Sequence, residues 1–314
     1  MTGSNATRVG SIGLGIMGRP CALNLIAAGH ELTVTTRTKA RATEVLEAGA
    51  TWADTPAEVA GGVEIVFLNL PDTPDVDQVL FGESGISAAE GFGGLVIDMS
   101  TIDPGRTVEI AAELSGRGIG FVDAPVSGGE KGAIEGNLSV MAGGSEADLA
   151  RALPLLEVVG QRITHVGPAG AGQMVKACNQ LLVGSNLMAI AEAMVLAERS
   201  GLVSAAAMRE AVTGGFADSR CLQVHGQRMV DRAFEPGFKS DLHAKDARIV
   251  EQMAAQTGTP IEAFDVARKA LDHLVETGRG EMDDSAVIEV VRERADGKDE
   301  TNAAGAKGTP ETEV

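Results

Sequence analysis

The sequence predicts a doubly wound α/β domain built on a parallel sheet, followed by a second, all-helical domain. Two observations carry that expectation. In the first half, short β-branched runs alternate with helix-like stretches, and beyond about Gly167 strand signals nearly vanish while helical periodicity continues. The implied boundaries are a disordered tail at 1–7, the sheet domain at 8–168, the helical domain at 169–295 and a second disordered tail at 296–314.

Each element has a local reason. Val9–Ile12, Glu31–Thr35, Glu64–Leu68, Leu95–Met99 and Ile119–Val122 read as strands, rich in Val, Ile and Leu. Thr55-Pro56-Ala57-Glu58 combines an N-cap, a first-turn proline and a capping-box acid, and Asp103-Pro104 repeats the signal before a helix ending near Gly116. Gly29 and Gly49 sit where left-handed helix ends are wanted. Gly170 to Gly201 reads as one long helix, a spine between two domains. Shorter helices are expected at about 204–212, 221–231, 242–256, 261–275 and 285–294.

Composition narrows the chemistry. The chain has 314 residues, 44% hydrophobic and 22% charged, enough for a substantial core. It has no Tyr, so a tyrosine proton donor is excluded, and with 3% aromatics a base-stacking platform is not expected. A formal charge of −18 opposes binding to nucleic acid or anionic membranes. Cys21, Cys178 and Cys221 are too widely spaced for a zinc site or a disulfide framework and read as buried small hydrophobes. The opening MTGSNATR lacks a basic n-region followed by an apolar stretch. The apolar segment Met174–Ala197 carries Lys176, Asn179, Gln180, Asn186 and Glu192, which a lipid-spanning helix would rarely hold. A cytoplasmic protein without a membrane partner is expected.

Gly13-Leu14-Gly15-Ile16-Met17-Gly18 follows the first strand and opens the first helix. In that context the first glycine permits the tight turn and the second admits a pyrophosphate to the backbone. The third lets helix and strand pack closely, while the helix N-terminus supplies N–H donors to phosphate. The second strand ends in Thr35-Thr36-Arg37-Thr38-Lys39-Ala40-Arg41, without the acid that would bind a ribose 2′-hydroxyl. Arg37 and Thr38 suit a 2′-phosphate, which favours NADP(H) and leaves NAD(H) open. The competing reading is that Lys39 and Arg41 merely solvate a helix start.

The loop Asp123-Ala124-Pro125-Val126-Ser127-Gly128-Gly129-Glu130-Lys131-Gly132-Ala133 reads as irregular. Ser127, Gly128 and Gly129 could present successive N–H groups to a carboxylate, or form a plain glycine-rich turn. At the head of the long helix Lys176, Asn179 and Gln180 share a face at i, i+3 and i+4. A lysine among Val175, Ala177 and Cys178 would have its pKa lowered by desolvation and could protonate an alkoxide; the alternative is a snorkelling side chain. The histidines 30, 165, 225, 243 and 273 show no metal-ligand spacing, so no metal is expected and none is assigned to catalysis. Lys245-Asp246 is ambiguous by itself, since such pairs usually solvate a surface.

GLGIMG at 13–18, DAPVSGGEKGA at 123–133, GAGQMVKACNQ at 170–180 and LHAKDA at 242–247 together resemble the β-hydroxyacid dehydrogenases, over about residues 8–294. The resemblance implies a Rossmann domain and an all-α substrate and oligomerisation domain, in homodimers or homotetramers. It implies reversible hydride transfer between a nicotinamide cofactor and a small carboxylate-bearing aldehyde or hydroxy acid. It places the catalytic lysine on Lys176 and its amide partner on Asn179. The substrate carboxylate falls to Ser127, Gly128 and Gly129, with Phe238 and Asp246 closing the site. Cofactor contacts fall on the glycine turn and on Leu70, Pro71, Thr101 and Lys245.

Within the family, LPDTPDVDQVLFGESG at 70–85, GGFADSRCLQVHGQRM at 214–229 and FEPGFKSDLHAKD at 234–246 are most similar to the branch that reduces tartronate semialdehyde to glycerate. Members acting on 3-hydroxyisobutyrate, succinic semialdehyde or glyoxylate share the same machinery, and a catalytically silent NADP-binding module is the non-enzyme alternative. Gln180 replaces the second Asn of the common KxxNN pattern, and Asp284 stands where relatives often have His. Val183 stands where decarboxylating relatives carry an acid.

Overall fold

The computed structural model describes residues 6–297, so most of both expected tails lies outside the described residues. The chain divides into two compact units. Of the described residues, one unit holds those up to Gln180 together with Lys245–Thr257; the other holds Leu181–Ala244 and 258–297.

The first unit alternates strand and helix from the start: β1 (Arg8–Ile12), α1 (Gly18–Ala27), β2 (Glu31–Thr35), α2 (Thr43–Glu47), β3 (Thr51–Trp52), α3 (Pro56–Gly61), β4 (Ile65–Leu68), α4 (Thr73–Phe81), β5 (Leu95–Asp98), α5 (Pro104–Ser115) and β6 (Gly120–Asp123). It continues through β7 (Val126–Ser127), α6 (Gly129–Ile134), β8 (Leu138–Gly144), α7 (Glu146–Val159), β9 (Gly160–Gly167) and the head of α8 (Ala171–Ser200). Among the described residues the sheet has nine strands in the order β3-β2-β1-β4-β5-β6-β8-β7, with β9 paired to β8. Pairing is parallel from β3 through β6, and β8 joins antiparallel to β6 and β7.

Both faces of the sheet are covered, which explains the fully buried β4 and β5. In β4, Ile65 and Phe67 belong to one core cluster, while Val66 and Leu68 belong to the other. The strand order reverses between β1 and β4, so the glycine turn after β1 stands at the switch point of the sheet. The caps form as expected. Thr55 Oγ1 accepts from the Glu58 N–H at 3.1 Å, Glu58 Oε2 accepts from the Asp54 N–H, and Asp103 accepts from the Arg106 N–H.

Two expectations need correction, and one ambiguity is resolved. Residues 123–133 are not irregular: they contain β7 and α6, because Val126 and Ser127 pair with Val140 and Ser139 of β8. That pairing needs β8, whose pattern Leu138-Ser139-Val140-Met141-Ala142 alternates inward and outward. Cys178 is exposed, since two residues along a helix turn it well away from the buried Lys176 face; Cys21 is buried and Cys221 intermediate. Lys245-Asp246 is no solvated pair, with side chains only 11% and 2% exposed.

The second unit is helical: the remainder of α8, then α9 (Ala205–Val212), α10 (Arg220–Asp231), the first turn of α11 (Ser240–Thr257), α12 (Glu262–Glu276) and α13 (Val287–Ala295). α8 is 30 residues and apolar enough to cross a membrane by length and composition, yet half of its most apolar window is buried inside the protein. Gly184 of α8 lets Phe264 of α12 approach: a Cβ there would stand 2.7 Å from the ring.

Candidate active site

The three glycines of the first turn differ in what surrounds them. Gly13 has φ +93°, and a Cβ on it would stand 2.2 Å from the Asn69 carbonyl oxygen. A Cβ on Gly18 would stand 2.0 Å from the Gly13 oxygen, so both are demanded by packing. Gly15 would meet no protein atom within 4 Å. Its side is open, and a side chain there would fill the space above the turn. Met17, at the N-cap of α1, provides no side-chain cap, and Leu14 is anchored in the core. An open turn and an uncapped helix start fit a dinucleotide pyrophosphate.

Beyond β2, Arg37 is 80% exposed and its guanidinium is 3.4 Å from Asp75 on α4. Thr38 is exposed and precedes a 3₁₀ turn without capping it, while Lys39 lies 4.8 Å from the centre of the Trp52 ring. Of the three bases, Lys39 is thus engaged elsewhere. The segments after β4 and β5 are tied together: the Leu70 N–H donates to Ser100 Oγ at 2.9 Å, and the Asp103 N–H donates to Thr73 Oγ1 at 3.1 Å. Pro71 is exposed and Thr101 half-buried between these ties.

The head of α8 is fastened to the same strand ends. Asp123, at the end of β6, accepts from the Gly170 and Gln173 N–H groups, each at 2.9 Å. Gln173 is buried; it accepts from the Ile102 N–H and donates to the Ser100 carbonyl. One turn on, Lys176 Nζ donates to Gln180 Oε1 at 3.0 Å, and Asn179 Nδ2 donates to that same oxygen at 2.8 Å. Gln180 Nε2 donates to Asp246 Oδ2 at 2.6 Å. Lys245 Nζ stands 2.7 Å from Asp246 Oδ1 and donates to the Thr101 carbonyl. The snorkelling alternative for Lys176 does not hold, since the residue is 8% exposed. Asn179, expected as its amide partner, instead shares an acceptor with it.

Electrostatics follow the burial. Desolvation pulls the Lys176 ammonium down to about 8; Asp246 opposes the shift and Lys245 deepens it. Desolvation pushes Asp98, at the end of β5, up to about 6, against hydrogen bonds from Ser100. Asp123 is raised by the same cause. Asp98, Ser100 and Gln173 were not anticipated as neighbours of this site; the only local signal was Gln173 lying one turn before Lys176.

Ser127 ends β7, Gly128 caps α6 with φ +143°, and Gly129 would meet no atom with an added Cβ. In the second unit, Phe238 packs its ring 5.5 Å from the His243 ring, and its N–H and that of Gly237 donate to Asp283 Oδ2. His243 Nδ1 is 2.8 Å from Asp284 Oδ2, His225 Nδ1 is 3.3 Å from Asp284 Oδ1, and Arg228 is 3.1 Å from Asp283. His225, Asp283 and Asp284 bring possible ligand atoms within 4.8 Å of one another. Asp283 is nevertheless already satisfied by Arg228, two backbone N–H groups and Ser285, so the cluster reads as a structural ion network.

The chain matches two family descriptions end to end: the NAD binding domain of 6-phosphogluconate dehydrogenase over residues 8–167, and the NAD-binding region of NADP-dependent 3-hydroxyisobutyrate dehydrogenase over 170–291. It is 42% identical over 291 residues to 2-hydroxy-3-oxopropionate reductase of Escherichia coli, covering 93% of this chain and 99% of that protein. It is 35% identical to 2-(hydroxymethyl)glutarate dehydrogenase of Eubacterium barkeri, covering 90% of this chain and 94% of the relative. The crystal structure of 3-hydroxyisobutyrate dehydrogenase from Salmonella typhimurium superposes with a TM-score of 0.83 at 33% identity, covering 90% of this chain and 99% of that one. The Mycobacterium tuberculosis 3-hydroxyisobutyrate dehydrogenase gives 0.83 at 31%, covering 91% and 99%. With its glycine turn at the sheet's switch point and a buried lysine heading the long helix, the chain belongs to the β-hydroxyacid dehydrogenases, enzymes that use NAD(P).

Proposed function

We propose that this enzyme reduces tartronate semialdehyde to glycerate with NADPH, and that Lys176 is the proton donor. The observation that carries the chemistry is the buried Lys176 ammonium, held on the amide of Gln180. The substrate rests on the 42% identity to the Escherichia coli reductase across nearly both chains.

A bound nicotinamide supplies or accepts the hydride. The glycine turn, with Leu14, Ile16 and Met17 between its glycines, is assigned to the pyrophosphate. Arg37 and Thr38 are assigned to the 2′-phosphate, and Leu70, Pro71, Thr101 and Lys245 to the rest of the cofactor. Ser127, Gly128, Gly129 and Asn179 would hold the substrate carboxylate, and Phe238 and Asp246 are assigned to the substrate by the family resemblance. As negative charge develops on the carbonyl oxygen, the ammonium of Lys176 transfers a proton to it. With a pKa near 8, the lysine is mostly charged at neutral pH and close enough to neutrality to give the proton up. In the oxidative direction the neutral amine takes the proton from the hydroxyl.

Activity as a 3-hydroxyisobutyrate dehydrogenase is a second reading, supported by the two solved dehydrogenases of that name at TM-score 0.83. Steady-state rates with tartronate semialdehyde, methylmalonate semialdehyde, succinic semialdehyde and glyoxylate, each with NADPH and NADH, decide between them. The highest kcat/KM should fall on tartronate semialdehyde with NADPH; a higher value for methylmalonate semialdehyde would transfer the assignment.

The same reading makes the enzyme a homodimer or homotetramer. Leu182 and Leu196, 61% and 74% exposed on α8, support this. Light scattering that gives a single-chain mass would remove it.

A further inference from the structure

Lys176 does not rest on the residue expected to hold it. Its hydrogen bond runs to Gln180 Oε1, which Asn179 also addresses, while the far side of the same amide donates to Asp246 Oδ2 at 2.6 Å. The orientation of that amide is dictated by its neighbours. A carboxylate can only accept, so Nε2 must face Asp246; an ammonium can only donate, so Oε1 must face Lys176. Gln180 is 3% exposed and Asp246 2% exposed, so water does little to screen the chain of contacts.

We propose that Gln180 is a positioning residue that ties the Lys176 ammonium to the Asp246 carboxylate, holding the lysine charged and aimed for the proton transfer. This rests on Lys176 being the proton donor. The carboxylate polarises the amide so that the negative end of its dipole meets the lysine, opposing the desolvation that favours the neutral amine. The charged groups around this chain are Lys245 and Asp246 on α11 and Asp98 at the end of β5, which interacts with Lys245 and with Asp123 at the end of β6. Asparagine at this position would be one methylene shorter than the side chain that now spans from Lys176 to Asp246. Glutamate would accept from Lys176 but face Asp246 with a like charge.

Lysine-selective ¹³Cε labelling with an NMR pH titration reads the lysine itself, apart from turnover; its signal is assigned by its absence in Lys176→Arg. In the full-length wild type the midpoint should lie near 8. Gln180→Met, which keeps the bulk and loses both hydrogen bonds, should lower it by about one pH unit, and Gln180→Glu should raise it by about as much. Asp246→Asn should lower the midpoint in the wild-type background and move it less in the Gln180→Met background. The alkaline fall of kcat should follow each midpoint, while the Kd for NADPH stays near the wild-type value in the Gln180 variants.

Midpoints in both Gln180 variants within about 0.3 pH unit of wild type would overturn the tie, being far smaller than a contacting charge produces. So would shifts of the same sign in both variants, because a merely structural disturbance has no reason to reverse. Midpoints that move as expected while the pH dependence of kcat stays fixed leave the tie standing and remove Lys176 as the donor. If Gln180→Met fails to fold, the Gln180→Glu and Asp246→Asn arms still give the required signs.

Discussion

The molecule buries two groups of charges, one in each compact unit, and treats them in opposite ways. In the sheet-bearing unit Lys176 and Lys245 face the single carboxylate of Asp246, and Lys245 is the one in direct contact with it. Lys176 is joined to that carboxylate only through a neutral amide, so its ammonium is under-compensated and its pKa is drawn toward neutrality. In the helical unit Asp284 lies between His225 and His243, and Asp283 is met by Arg228 and backbone N–H groups. There each carboxylate faces more than one cation or N–H donor. Burial works to lower the His225 pKa, but its hydrogen bonds to Asp283 and Asp284 outweigh it and drive the imidazole up to about 10. Asp284 is held well below the usual carboxylate range by the two histidines, against its own burial. A group left short of partners titrates where the cell works and can do chemistry, whereas a saturated one is locked in a single state.

The sharpest way to break this contrast is Lys176→Met. General acid catalysis contributes about 10²- to 10⁴-fold, so kcat should drop by that factor while NADPH still binds, measured by fluorescence titration. A variant retaining most of its turnover would remove the lysine from the mechanism and with it the functional half of the comparison.

The saturated cluster answers in stability instead. Asp284→Asn leaves His225 without one carboxylate and should cost about 3–5 kcal/mol, read by denaturant unfolding, since breaking a buried pair strands a charge. Its pH dependence has a defined sign. A histidine whose folded pKa is raised from 6.5 to about 10 adds stability that is complete below pH 6.5 and lost as pH rises toward 10. Wild-type stability should therefore fall across that window, and the fall should flatten in Asp284→Asn. An unchanged slope would show that His225 is not charged in the native state.

How much of this was readable in advance depends on sequence distance. Strands β4 and β5 carry apolar runs buried on both faces, and β1, β2 and β6 are also mostly buried, a signal that needs no partner to be seen. Strand β7 was missed because a two-residue strand exists only through its pairing with Val140 and Ser139 of β8. In the site, helical spacing alone placed Lys176, Asn179 and Gln180 on one face. The contact from Gln180 to Asp246 spans 66 residues and two helices, and no local pattern announces it. Asp246 entered only through resemblance to a family, and the pairing of Asp284 with two histidines came from the fold alone.

The smallest effect concerns a charge pair that is neither buried nor saturated. Arg37 and Asp75 meet at 3.4 Å with the arginine 80% exposed, a pair expected to contribute at most about 1 kcal/mol to stability. Asp75→Asn should thus leave the unfolding midpoint essentially unchanged. It should still alter cofactor choice, because Asp75 competes with a 2′-phosphate for the same guanidinium. Arg37→Ala should lower the ratio of kcat/KM for NADPH over NADH by about tenfold, the loss of one charge-assisted contact. Asp75→Asn should raise that ratio by a smaller factor. If neither substitution moves it, Arg37 does not read the 2′-phosphate, and this exposed pair belongs with neither of the buried clusters but with ordinary solvated surface.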